Sequence, residues 1–161
     1  MRTPLRTASL LLAALALAAS PAPAATATGN LAITAEVVTT CRVGAASLDF
    51  GTYGAGQTAD LRAQGSIAYE GCGIGQLKVH LDGGTSRNTS ARTLVNGAGN
   101  RLAYQLYRDS ARRRVWGTGS NALTFTPSSG TGTLAVYGTI PGGQSVPVGR
   151  YADTVLVTIE F

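Results

Sequence analysis

The stretch from Ala152 to Phe161 constrains the fold most. Val155, Val157, Ile159 and Phe161 fall on one face, while Ala152, Thr154, Leu156, Thr158 and Glu160 fall on the other. A period of two residues is the signature of a β-strand with one buried face. With Phe161 the last residue of the sequence, no further strand is expected to cover that one. Two readings fit the pattern. The segment is the last strand of a complete sandwich, paired on one side, or it borders a gap that an extended segment from a neighbour fills.

The rest of the chain also predicts strands. Leu31, Ile33, Ala35 and Val37 alternate with Ala32, Thr34, Glu36 and Val38, which gives a continuous apolar face at strand spacing. Further short strands are expected over Ser47 to Phe50, Ser66 to Tyr69, Leu77 to Leu81, Leu102 to Tyr107, Arg114 to Trp116, Leu123 to Thr126 and Thr133 to Tyr137. Asp82-Gly83-Gly84, Asn96-Gly97 and Pro141-Gly142-Gly143 supply turn chemistry between them. Many short strands separated by such turns indicate an all-β sandwich or barrel. There is no fixed-period repeat and no heptad pattern.

The first residues are expected to be a removable leader. Arg2 and Arg6 precede an uncharged Leu/Ala run from Leu10 to Ala19, and Ser20-Pro21-Ala22-Pro23-Ala24-Ala25 closes it with small residues, the layout of a secretory signal peptide. Residues 1–24 form it, with cleavage between 24 and 27. The run is far shorter than the roughly 20 residues needed to span a bilayer, so no integral membrane segment is expected. About 136 residues remain, enough for one domain with its own core. Export places Cys41 and Cys72 in an oxidising compartment, where two such thiols are expected to pair. A metal site is not expected, because two Cys and the single His80 do not complete a tetrahedral ligand set.

Charge gives little direction. Without Arg2 and Arg6, eleven basic side chains stand against eight acidic ones. Arg108, Arg112, Arg113 and Arg114 cluster, but no nucleic-acid-binding motif accompanies them, and a solvated hairpin tip explains them. Catalysis is not expected, nor is any cofactor. His80 has no nucleophile elbow to serve, and Asp49, Asp109 and Asp153 sit where turn hydrogen bonding accounts for them.

A resemblance sharpens this reading. Cys41-Arg42-Val43, Leu48-Asp49-Phe50-Gly51-Thr52-Tyr53 and Tyr69-Glu70-Gly71-Cys72 are similar to the first half of a spore coat protein U domain, the subunit type of archaic, Csu-like chaperone–usher pili. Leu81-Asp82-Gly83-Gly84, Leu102 to Asp109, Val115-Trp116-Gly117, Val136 to Pro141 and Gly149 to Phe161 follow that family's pattern in the same order. The resemblance implies an immunoglobulin-like β-sandwich lacking its final strand and completed by donor-strand exchange. It implies a donor segment over residues 25–40, using Leu31, Ile33, Ala35 and Val37, ahead of a domain over 41–161. It further implies an acceptor groove lined in part by the terminal strand through Val155, Val157, Ile159 and Phe161. The implied partners are a periplasmic chaperone, an outer-membrane usher and neighbouring pilus subunits, with no nucleic acid. The implied role is adhesion and biofilm formation at the cell surface. A free-standing secreted β-sandwich, binding a ligand or serving as a coat protein, is the alternative.

Overall fold

The computed structural model describes residues 26–161; the leader expected over 1–24 lies outside them. The chain divides between Glu36 and Val37. Residues 26–36 of the first unit carry neither strand nor helix and are exposed. The second unit begins in the same way, so the expected strand through Leu31, Ile33, Ala35 and Val37 is absent. Residues 26–41 carry no strand at all. Alternation fixes which side chains share a face, but a strand exists only where its N–H and C=O groups meet those of a partner.

Eight strands build the second unit: β1 (Arg42–Ser47), β2 (Leu61–Glu70), β3 (Leu77–Leu81), β4 (Arg92–Val95), β5 (Arg101–Tyr107), β6 (Leu123–Phe125), β7 (Gly132–Ile140) and β8 (Val157–Glu160). They form a five-stranded sheet in the order β1-β2-β7-β5-β4 and a three-stranded sheet in the order β6-β3-β8. Every pairing is antiparallel. This is an immunoglobulin-like β-sandwich. The longest ladder joins β2 to β7, from Leu61 opposite Ile140 to Tyr69 opposite Gly132.

Period-2 patterning explains the core. Leu77, Val79 and Leu81 of β3 point inward, as do Leu102, Tyr104 and Leu106 of β5. All but Leu77 meet Ile67, Val136, Ile140 and the fully buried Trp116 between the sheets. A second cluster of Tyr69, Cys72 and Leu77 collects Cys41 and Ile159 at its border. There Cys41 and Cys72 are joined by a disulfide.

Several expected strands change on folding. Of Ser47 to Phe50 only Ser47 is in a strand; Leu48 and Phe50 follow β1 as irregular chain packed against the core. Arg114 to Trp116 is no strand. Val115 makes one isolated bridge to Tyr107, and Trp116 is held by its backbone N–H to Leu106 O at 2.9 Å and its Nε1–H to Val79 O at 2.9 Å. Conversely, β1 and β4 carry no clear alternation. In β4 the inward residue is Arg92, whose charge hides the pattern. In β1 the run Gly44-Ala45-Ala46 is small throughout, and its pairing to β2 shifts register between Val43 and Ala46.

Candidate functional site

An open cleft of about 1060 Å³ lies in the second unit. One wall is the chain that continues from the end of β1, through Leu48, Phe50 and Tyr53. The other is the chain leading into β8, through Tyr151, Asp153, Val155 and Val157. Core side chains from both sheets, among them Ile67, Leu81, Leu102, Leu106 and Ile140, form the floor. β1 and β8 are the outermost strands on one flank of their respective sheets, and neither pairs on its far side among the described residues. Near Cys41 and Ile159 the two come together over the second cluster. Beyond that point they part, and the cleft opens between them.

The terminal segment is pinned at a change of sheet. Ala152 exchanges two backbone hydrogen bonds with Val95 of β4, at 2.8 and 3.1 Å. Four residues later the chain belongs to the other sheet: Asp82 N–H donates to Leu156 O at 3.1 Å, and Leu156 N–H donates to Asp82 Oδ1 at 2.8 Å. Asp153 sits at the crossing. Its Oδ1 accepts from Thr85 N–H at 2.8 Å and the Thr85 hydroxyl at 2.6 Å, and its Oδ2 accepts from the Tyr104 hydroxyl at 2.6 Å. Gly84 takes a positive φ of 55°, and the Asp153 carboxylate occupies the space that any side chain there would need. The Asp82-Gly83-Gly84 turn therefore does more than reverse the chain, because it seats the cleft wall.

Electrostatics follow the same arrangement. Partial burial opposes ionisation of Asp153, yet the hydrogen bonds from Thr85, Tyr104 and Thr154 prevail and hold its carboxyl below the ordinary value. Burial, aided by the neighbouring Asp153, pushes the Tyr104 hydroxyl well above its ordinary value. Tyr104 thus stays a donor, and its ring meets Phe50 edge-on with centroids 5.9 Å apart. This contact ties the floor to the first wall.

Arg92 supports the floor from below. Its side chain is fully buried and donates to the carbonyls of Leu81, Asp82, Thr89 and Trp116 and to Gln105 Oε1, at 2.6 to 3.1 Å. Burial lowers its pKa, against the fields of Tyr104, Asp82 and Asp153. One planar cation thereby satisfies four carbonyls at the junction of β3, β4 and β5.

The residues singled out from the sequence distribute as follows. Val155 and Val157 line the cleft and remain partly exposed. Ile159 packs beside the disulfide cluster, where the walls meet, and Phe161 is exposed and does not line the cleft. Leu31, Ile33 and Val37 are 84%, 84% and 96% exposed. Asp49 and Asp109 cap turns, accepting from Gly51 N–H and from Arg113 and Arg114 N–H respectively. Arg112 turns inward over the Tyr137 ring and donates to the carbonyls of Ala63 and Gly138, so the Arg108 to Arg114 cluster is not a purely solvated tip. His80 Nε2 lies 3.1 Å from Glu160 Oε1, across the β3–β8 pair. His80 and Lys78 lower the Glu160 carboxyl. Among the described residues no three His, Cys, Asp or Glu side chains gather as a metal site. Sequence reasoning missed the Leu48-to-Tyr53 wall and the Asp82–Thr85–Asp153 clamp. The signals were the alternation of Leu48 and Phe50 about Asp49, and an Asp-Gly-Gly turn more glycine-rich than a simple reversal needs.

What the arrangement offers is an open slot of mixed polar and apolar lining beside two free strand edges, at the upper end of the roughly 300–1,000 Å³ of a small-molecule pocket. Free strand edges with core side chains between them are the setting in which an added strand gains backbone partners.

Comparison with known proteins agrees with this architecture. Protein U of Myxococcus xanthus is 38% identical over a 173-residue alignment that covers 96% of each chain. The crystal structure of the CsuC–CsuE chaperone–tip adhesion subunit pre-assembly complex, from the archaic chaperone–usher Csu pili of Acinetobacter baumannii, aligns with a TM-score of 0.57 at 22% identity. That match covers 76% of this chain and 40% of the other, so the chain spans well under half of that longer protein. A solved chaperone–usher pilus, studied for how its rod uncoils, aligns with a TM-score of 0.51 at 16% identity over 87% of this chain and 99% of that one. At such identities the structural matches speak for the fold. The Spore Coat Protein U domain matches residues 27–158, nearly the whole described region, and this chain belongs to that family.

Proposed function

We propose that this chain is a structural subunit of a surface pilus or fimbria, built by the chaperone–usher pathway through donor-strand exchange. The observation that carries the reading is the cleft: a sandwich with its core reachable between two free strand edges. In this reading Leu31, Ile33, Ala35 and Val37 of one copy enter the cleft of the next, and their backbone completes the open ladder. Each of the three larger side chains contributes about 1.5–3 kcal/mol of apolar transfer on burial, with Ala35 contributing less. The cost of association and of ordering the segment offsets part of that gain. An unfilled cleft exposes strand edges and apolar surface, which promotes aggregation. A periplasmic chaperone that lends a strand and an outer-membrane usher that directs the exchange are the partners this implies. The chain is then exported to the periplasm and displayed on the cell surface, in adhesion and biofilm formation.

The test is a synthetic peptide spanning residues 27–38, added to chain purified from the periplasm. Binding should raise the melting temperature, and Ile33→Asp in the peptide should abolish the rise. In cells, deleting 31–37 should stop incorporation beyond a terminal position. Long fibres from the deletion, or a chain indifferent to the peptide, would return the reading to a free-standing coat or binding protein, which the family's spore-coat description favours.

A further inference from the structure

We infer that consecutive copies touch body to body, through the glycine-rich loop Gly71-Cys72-Gly73-Ile74-Gly75, in addition to the inserted strand. The inference rests on the donor-strand reading and on the length of chain left over. Val37 is the last side chain assigned to the neighbour's cleft, and Cys41 is already bolted to Cys72. Four peptide steps separate them, at most about 14 Å when fully extended.

Much of that length is already committed. The Thr40 carbonyl oxygen lies 2.7 Å from where a Cβ on Gly71 would sit, so Gly71, at φ 67°, is required there. Thr39 lies within ordinary contact distance of the corresponding point at Gly73. Residues 39–41 therefore run along the 71–73 turn, and only Val38 is free to bridge from one body to the next. A single linking residue cannot hold two domains apart. Whatever rim the inserted strand leaves by must rest against the loop that carries Cys72.

Ile74 is what that loop presents. It is 71% exposed, stands among glycines, and does not line the chain's own cleft. An isolated apolar side chain at the base of the linking segment fits a second copy of this chain, which covers it when the strand is seated.

Two complexes separate the contact from strand insertion: the chain with the 27–38 peptide, and the chain with a second copy whose own cleft is already filled by that peptide. Ile74→Asp in the strand-giving copy should speed dissociation of the two-copy complex on the order of tenfold, the scale of one lost buried Ile contact. Dissociation of the peptide complex should not change. Inserting six Gly/Ser residues after Val38 should loosen the pair in small-angle scattering. A two-copy complex that dissociates at the wild-type rate with Ile74→Asp overturns the contact alone. A peptide that does not bind overturns the donor-strand reading and the contact together.

Discussion

β3 and β8 are neighbours in one sheet, antiparallel, and equally regular in their alternation. Their inward side chains end in different states. Leu77, Val79 and Leu81 are at most 1% exposed, whereas Val155, Val157 and Ile159, along the terminal segment, stay partly open. β3 has β6 on one side, β8 on the other and Trp116 above. Among the described residues β8 has a partner on one side only. Alternation therefore reports that a face is meant for burial, and the number of neighbours decides whether the burial is complete.

The sharpest way to break this contrast is to damage the closed half. Trp116→Ala should cost about 3–5 kcal/mol in urea melts. Arg92→Ala should cost at least about 3 kcal/mol, because several buried carbonyls lose their donor together. If either variant is within about 1 kcal/mol of the parent, the β3 side is not the rigid half.

The disulfide comes next. Cys41→Ser opens a bond spanning 31 residues of sequence, and should destabilise by about 3 to 4 kcal/mol in the chain-entropy model. Periplasmic levels of the variant should fall; unchanged abundance would show the bond to be unimportant there.

Val157→Ala tests the open half. In the free chain the residue is only partly buried, so the loss should be about 1 kcal/mol or less. Peptide affinity should fall on the order of tenfold, because the cavity is felt only once the cleft is filled. Equal losses in both states would mean that β8 is already fully packed.

The smallest effect is expected from acid. Asp153 has a folded pKa below its ordinary 3.8, so the stability it contributes is complete above that ordinary value and is lost as pH falls through the depressed one. Melts from about pH 5 down to about pH 2 should show the gap between the parent and Asp153→Asn closing. A gap that is constant across that range would remove Asp153 from the clamp.

Much of the sandwich was legible from period-2 patterning, since β3, β5 and β6 alternate cleanly, and the expected oxidising compartment pointed to the Cys41–Cys72 bond. β1 and β4 were not legible. One is built from small residues with a register shift, and the other buries an arginine, whose acceptors come from four separate places in the chain. The Leu48-to-Tyr53 wall was visible as a motif but not as a wall, because its role depends on what stands across from it.

The sequence by itself determined the faces of strands such as β3 and β5 and the turns between them, because these depend on residues near one another along the chain. Only the tertiary structure decided that β1 and β8 part beyond Cys41 and leave the core reachable between them, and that Asp153 pins one wall as it crosses from sheet to sheet. Those are properties of strand order, and strand order is set by contacts between segments that local spacing does not encode.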